Sequence, residues 1–458
     1  MPASPIAVPP LLPGRPTSTQ EAWIEDLCRP LFASFARADH HLKGEQYLRG
    51  LLTAPGRKSI RNIARTLDDT GAAQRLHHFI CNAPWNWRTV REALTDYLVD
   101  RARPRSWVVR PMLIPKSGTN SVGVHRRFVP ATGQLVNGQL AYGLWYAGRA
   151  LNVPVDWRLH LPPPASRTSV PDADGVTRIL ELAQRAAHPT AGTRSGAGTG
   201  ARAGAGAAAG TGAGTGAGYR RAGAGTGGAG VTAPVIWDSQ MHYPGDVLSA
   251  LAPLGLPVMV RTPGSLALHL VDRGGRPTRR GALPAQRVLA APERFGLPVH
   301  DVAPGVRAVL TRVVPARPGG GGERGETGEL LLYAQRYEDP EDRAGSHGPG
   351  ARADFWLTTP PRRSPVDLHQ LTRTAAYVAR DSVRTGGRTG LRDFEGRSYE
   401  GWHRHMTLAS IAYAVQSLTA LDAVRAERGP HQRLHSLPQL PAHPYAYVHA
   451  RPPLTLAG

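Results

Sequence analysis

Thr190 to Gly230 reads TAGTRSGAGTGARAGAGAAAGTGAGTGAGYRRAGAGTGGAG, with no large apolar side chain except Tyr219. Ordering a residue costs about 1–2 kcal/mol of backbone entropy, and nothing in this segment can offset it by burial. It is therefore expected to be a disordered insertion, and any core must be assembled from the segments on either side. Its glycines have no flanking strand, no Gly-Lys-Ser/Thr and no fixed period, which excludes a phosphate-binding loop.

On the N-terminal side the hydrophobic period is helical. Trp23, Leu27, Leu31 and Phe35 recur at four-residue spacing, with Ser18 or Thr19 as the expected cap. A second pattern, GEQYLRGLLTAPGRKSIRNIARTL, stops at Pro55-Gly56 and restarts behind Ser59. In the restart Arg57, Arg61 and Arg65 share one face and Ile60, Ile63 and Leu67 the other. Such a helix can dock on a small core and face a phosphate backbone, or be an ordinary solvated face. APWNWRTVREALTDYLVDRA supplies a further helix, so 19–104 forms a helical unit behind a disordered 1–18.

At Trp107 the period changes. WVV reads as a buried strand ending at Arg110-Pro111, and further strand-like segments follow, separated by Gly, Pro and Asn turns. Beyond the insertion, Val235, Ile236 and Trp237 read as a buried strand ending at Asp238. A helix from about Asp246, more an N-cap than a ligand, and the strand PVMVR complete a β-α-β unit. Open α/β sheets place their ligands at such strand ends. Strand-rich sequence fills 263–364, a last helical block carrying DFEGRSYEGWHRHMTLAS runs from 365 to 425, and 426–458 is a Pro- and His-rich tail.

The chain carries 55 Lys+Arg against 34 Asp+Glu, a net charge of +21 that suits a polyanionic partner, although a bias in base composition towards Arg, Ala, Gly and Pro produces the same excess. No unbroken apolar stretch approaches the roughly 20 residues of a membrane span. MPASPIAVPPLLPGRP lacks the form of a signal peptide. Cys28 and Cys81 are too few for a disulfide framework or a cysteine zinc site, which points to a cytoplasmic protein.

Three positions then align: the end of WVV, Asp238 at the end of VIW, and Glu395 in RDFEGRSYEGWHRH. One carboxylate at each of two neighbouring strand ends and a third from a helix above them can hold two divalent cations about 4 Å apart and drive attack on a phosphodiester.

IPKSGTNSVGVHRRFVPATGQLVNGQLAYGLWYA, VPVDWRLHLP and GLRDFEGRSYEGWHRHMTLAS, with YLRGLL and APWNWRTVREAL nearer the N-terminus, resemble segments of the DDE transposases of bacterial insertion sequences. The resemblance is specifically to the actinobacterial type with a Pro-Lys-x-Gly-x-x-Ser-Val-Gly-Val segment, and it runs from about residue 20 to about 425. The resemblance implies an α/β fold: an RNase H-like mixed sheet flanked by helices, with a helical DNA-binding domain at 19–104. The catalytic domain would be split between 105–189, 231–262 and 365–425, interrupted by the disordered 190–230 and by a β-rich insertion at 263–364. It also implies Mg²⁺ as cofactor, terminal inverted repeats as DNA partner, a homodimer on paired ends, and a nucleoid-associated cytoplasmic location.

Carried over by position, Asp238 is the second acid and Glu395 the third, each a catalytic residue and metal ligand. Lys116 sits with Gly118 in the loop after the first acid. Arg397, Trp402, His403, Arg404 and His405 flank Glu395 and, with Arg57, Lys58, Arg61 and Arg65, are the expected DNA contacts. His403 and His405 are two apart and so on different sides of a helix, which disfavours a zinc site. One departure stands out: where the family carries an acidic pair and a threonine, this chain has Arg110, Pro111 and Met112. Arginine does not deprotonate, and beside dications it is repulsive. The resemblance thus implies a transposase with a damaged site, an active one in which another acid such as Asp156 stands in, or a non-cleaving DNA-binding repressor or architectural factor.

Overall fold

The computed structural model describes residues 16–427 apart from 68, 130–132, 162–172, 188–232, 273, 317–329, 339–351 and 360–362, so the expected disordered insertion and both chain ends lie outside the described residues. Five helices come first: α1 (Ser18–Leu31), α2 (Ala38–Thr53), α3 (Ile60–Ala64), α4 (Ala72–Cys81) and α5 (Trp87–Arg101). Thr17, not Ser18 or Thr19, caps α1, in a reciprocal capping box with Gln20. Ser59 caps α3 as expected, yet α3 has only five residues, so Arg57 lies before the helix and Leu67 beyond it.

The strands and helices that follow are β1 (Ser106–Pro115), β2 (Val124–Val129), β3 (Gln134–Ala147), β4 (Asn152–Leu159), α6 (Ala173–Ala187), β5 (Val235–Trp237), α7 (Pro244–Leu251) and β6 (Val258–Thr262). Antiparallel β2, β3, β1 and β4 lie on one side of β5, and β1, β5 and β6 run parallel, so the β-α-β unit forms as read. Asp246 falls in the first turn of α7 and Tyr243 takes the cap position.

Then come β7 (Ala267–Leu270), β8 (Leu283–Pro284), α8 (Ala285–Ala290), β9 (Val299–Ala303), β10 (Val306–Pro315), β11 (Leu330–Tyr337) and β12 (Ala353–Thr358). They do not form a separate sheet. β12 pairs with β6, and β11, β10, β7 and β8 continue outward, giving one mixed sheet of twelve strands among the described residues. This mixed sheet flanked by helices is compatible with an RNase H-like fold.

Two long helices end the described part of the chain, α9 (Pro365–Arg388) and α10 (Tyr399–Glu427). α9 lies over β1, β3 and β4, while α10 packs on β4 and against α1, α2, α4 and α5. α10 has the length and apolar content of a membrane span. Its residues 401–416 are all buried, however, which makes it a core helix that ties the N-terminal helices to the sheet.

The expected end of β1 at Val109 is a correction. The strand continues through Arg110 and Pro111 to Pro115, paired throughout with β3. Only its pairing to β5 stops at Val109. The Trp107 amide donates to Pro234 and the Val109 carbonyl accepts from Asp238, so odd-numbered positions of β1 direct their backbone groups toward β5. Pro111 falls in that series one step past the end of β5, where its missing N–H costs no ladder bond.

Candidate active site

Parallel pairing of β1 with β5 brings residue 110 and Asp238 to the same point of the sheet, as read from the two strand ends. The Asp238 side chain is buried. One carboxylate oxygen accepts from Arg110 Nη1 and the other from Arg261 Nε at 2.7 Å. Burial works to raise the Asp238 pKa, but the Arg261 and Arg110 guanidiniums outweigh it and hold the carboxyl below its ordinary value.

Arg261, from β6, stacks over Trp356 at 4.7 Å and donates from Nη1 to Asp354 at 3.1 Å. Asp354 also accepts from Tyr337 Oη at 2.9 Å, and Gln335 carries the polar chain on to His369 and Thr372 of α9. Sequence reasoning missed Arg261 and Asp354. The signal was available for Arg261, the charged residue near the end of the neighbouring parallel strand.

Glu395 lies elsewhere on the site. It is not on a helix: the turn at Thr389–Arg392 ends α9, and Glu395 sits in the irregular segment before α10. Its exposed carboxylate pairs with Arg57. Asp393, also missed, accepts from the Lys58 amide at 2.8 Å, and Lys116 Nζ donates to the Phe394 carbonyl. Burial, with Arg57 next, lowers the Lys116 pKa to about 8. Lys116 is six residues beyond Arg110, about 20 Å along an extended strand. Asp238 is thus held by Arg110 and Arg261, and Glu395 by Arg57.

Of the other expected DNA contacts, Arg61, Arg65 and Arg397 are exposed. Lys58 is a correction, buried with its ammonium on the Ala54 carbonyl. So are Trp402, His403, Arg404 and His405, all buried on α10 because that helix crosses the core. His403 stacks on Trp87 at 4.1 Å, and Arg404 donates to the Ile80 and Trp85 carbonyls. His405 bonds the Tyr47 hydroxyl and the Gly390 carbonyl, each at 2.8 Å. Asp156 does not stand in for the missing acid: it is buried against Arg91 and Arg158, both at 2.9 Å.

The sequence matches the description "DDE superfamily endonuclease" over residues 30–303, well over half of the chain. The chain belongs to the DDE superfamily of endonucleases. The matched span contains position 110 and Asp238 and ends before Glu395. No curated protein matches the chain. DDE endonucleases act on DNA and generally use divalent metals such as Mg²⁺. The residues here do not fit such an ion. Both Asp238 oxygens are taken by guanidiniums, and among the described residues no group of three or more His, Cys, Asp or Glu comes together as a metal site. Asp238 and Glu395 each present a carboxylate already paired with guanidiniums rather than one open to a cation.

Proposed function

We propose that this protein is a transposase-type DDE endonuclease of the bacterial insertion-sequence kind, of the actinobacterial type, with an impaired catalytic site. The observation that carries the reading is the Arg110–Asp238–Arg261 arrangement, in which a fixed cation takes the place of the acid that would bridge two metals. A dication about 5 Å from one guanidinium meets repulsion on the order of several kcal/mol even at an effective dielectric near 20. Asp238 and Glu395 are remnants of the family's carboxylate set.

The DNA partner is the terminal inverted repeats of an element, bound by the N-terminal helical region of a homodimer on paired ends in the nucleoid. Arg57, Arg61 and Arg65 of that region, with Lys116 after β1 and Arg397 before α10, remain the candidate contacts. The net charge of +21 supports a second reading, a repressor or architectural protein that holds DNA without cutting it.

The test is strand cleavage of duplexes carrying the inverted repeats, in Mg²⁺ and in Mn²⁺, beside fluorescence anisotropy on the same duplexes. Absence of nicking in either metal is the expected outcome. Metal-dependent nicking by the unaltered chain refutes the proposal, and specific binding without nicking favours the second reading.

A further inference from the structure

A cavity of about 200 Å³ opens beside β1, between that strand, α9 and the segment after α9. Two guanidiniums line it, Arg110 and Arg392, set among Trp145, Trp157, Met112 and Val383. No carboxylate lines it among the described residues.

Both cations have capacity left. Arg110 spends Nη1 on Asp238, and a guanidinium carries five N–H donors in all. The Arg392 Nε is buried with no hydrogen-bond partner among the described residues. Burial and the charge of Arg110 both lower the Arg392 pKa, so the two guanidiniums repel one another across the cavity. Asp238, Asp354 and Asp393 balance Arg110, Arg261 and Arg392 in number, with Asp393 opposing the effect of Arg110 on Arg392, but none of the three carboxylates lines the cavity, where the two guanidiniums face each other. An anion between Arg110 and Arg392 would satisfy the orphaned donor and remove the repulsion together. A tetrahedral oxyanion suits two forked guanidiniums, and buried tryptophans on one wall limit the water that competes for them.

We infer that this cavity is a metal-independent binding site for a phosphoryl oxyanion, supplied as free phosphate or as the terminal phosphate of a DNA strand. The inference rests on the proposal that position 110 no longer serves a metal. It is read without metal or cleavage, so its failure leaves that proposal intact, and nicking by the unaltered chain would count against the proposal alone.

Titration calorimetry on the full chain in EDTA at constant ionic strength tests it with three probes: inorganic phosphate, a 5′-phosphorylated dinucleotide and the same dinucleotide without phosphate. Saturable heat with inorganic phosphate, or with the phosphorylated dinucleotide alone, is the expected result, the second pointing to a DNA end as the source. Arg392→Gln is expected to weaken the interaction about tenfold or more, the loss typical of a charge-assisted pair. Should Arg392→Gln fail to fold, Val383→Glu provides the second variant: Val383 is 56% exposed, and the added carboxylate at the cavity mouth is expected to abolish binding. Equal heats for the two dinucleotides with none for phosphate overturn the inference, as does phosphate binding unchanged in the folded variants.

Discussion

The amide of Asp238 donates to the carbonyl of Val109 at 3.0 Å, and this one bond sets the side chains of residues 110 and 238 next to each other at the point where β5 ends. In a DDE endonuclease that juxtaposition gathers carboxylates. Here it makes an ion pair whose positive member is covalently part of the chain, so the site is neutralised without a metal.

Asp238 is therefore expected to be structural. Asp238→Ala strands two guanidiniums and should cost about 3–5 kcal/mol, the usual loss when one partner of a buried pair is removed. Arg110→Met leaves Asp238 paired with Arg261 and should cost less. Urea denaturation of the two variants measures the order, and equal losses would contradict this account of the site.

Metal should be irrelevant to stability. A ligand that binds the native state alone raises the melting temperature by mass action. Millimolar Mg²⁺ and excess EDTA are accordingly expected to give the same Tm, and an increase specific to Mg²⁺ would show a site that the geometry does not contain.

Acid should destabilise the fold through α10. Burial is the main cause that lowers the His405 pKa from 6.5 to about 4. Between those values the unfolded chain binds a proton that the native chain does not. The contribution is thus complete above about pH 6.5 and is lost as pH falls toward 4, by about 3 kcal/mol in full. His369, lowered to about 4 chiefly by burial, adds to the same slope. His405→Asn should flatten the dependence of the urea midpoint on pH over this range, and an unchanged slope would place the titration elsewhere.

Arg91 should be among the most sensitive positions of the N-terminal helices. From α5 it donates to Asp156, to Thr407, and to the Trp157 and His403 carbonyls, joining α5, β4 and α10. Arg91→Met leaves two buried carbonyls without that donor and is expected to cost roughly 3 kcal/mol. Thermal unfolding measures it, and a loss below 1 kcal/mol would mean that neighbouring groups replace the donor.

The local sequence determined the elements where one period dominates: α2 up to Pro55, the helix of APWNWRTVREAL, the VIW strand ending at Asp238, and PVMVR beside it. Each is set by side chains a few residues apart, which was enough to read residue 110 and Asp238 as the ends of two neighbouring strands, but not to show that the two side chains pair with each other. α4 went unread, since AAQRLHHFIC carries its apolar face on only a few residues. The end of β1 was misread because Pro111 looks like a stop, and only the departure of β5 shows that its N–H is not needed. Trp402 to His405 looked like a phosphate-binding cluster, for sequence gives residue type and not direction. Packing of α10 against the sheet on one side and the helices on the other decided that these rings and Arg404 face inward, where burial and local partners take them out of reach of a ligand. Tertiary structure alone also decided that Glu395 meets Arg57 and that Arg392 meets Arg110, because charges far apart in the chain have no preferred partner until the fold sets the distance between them.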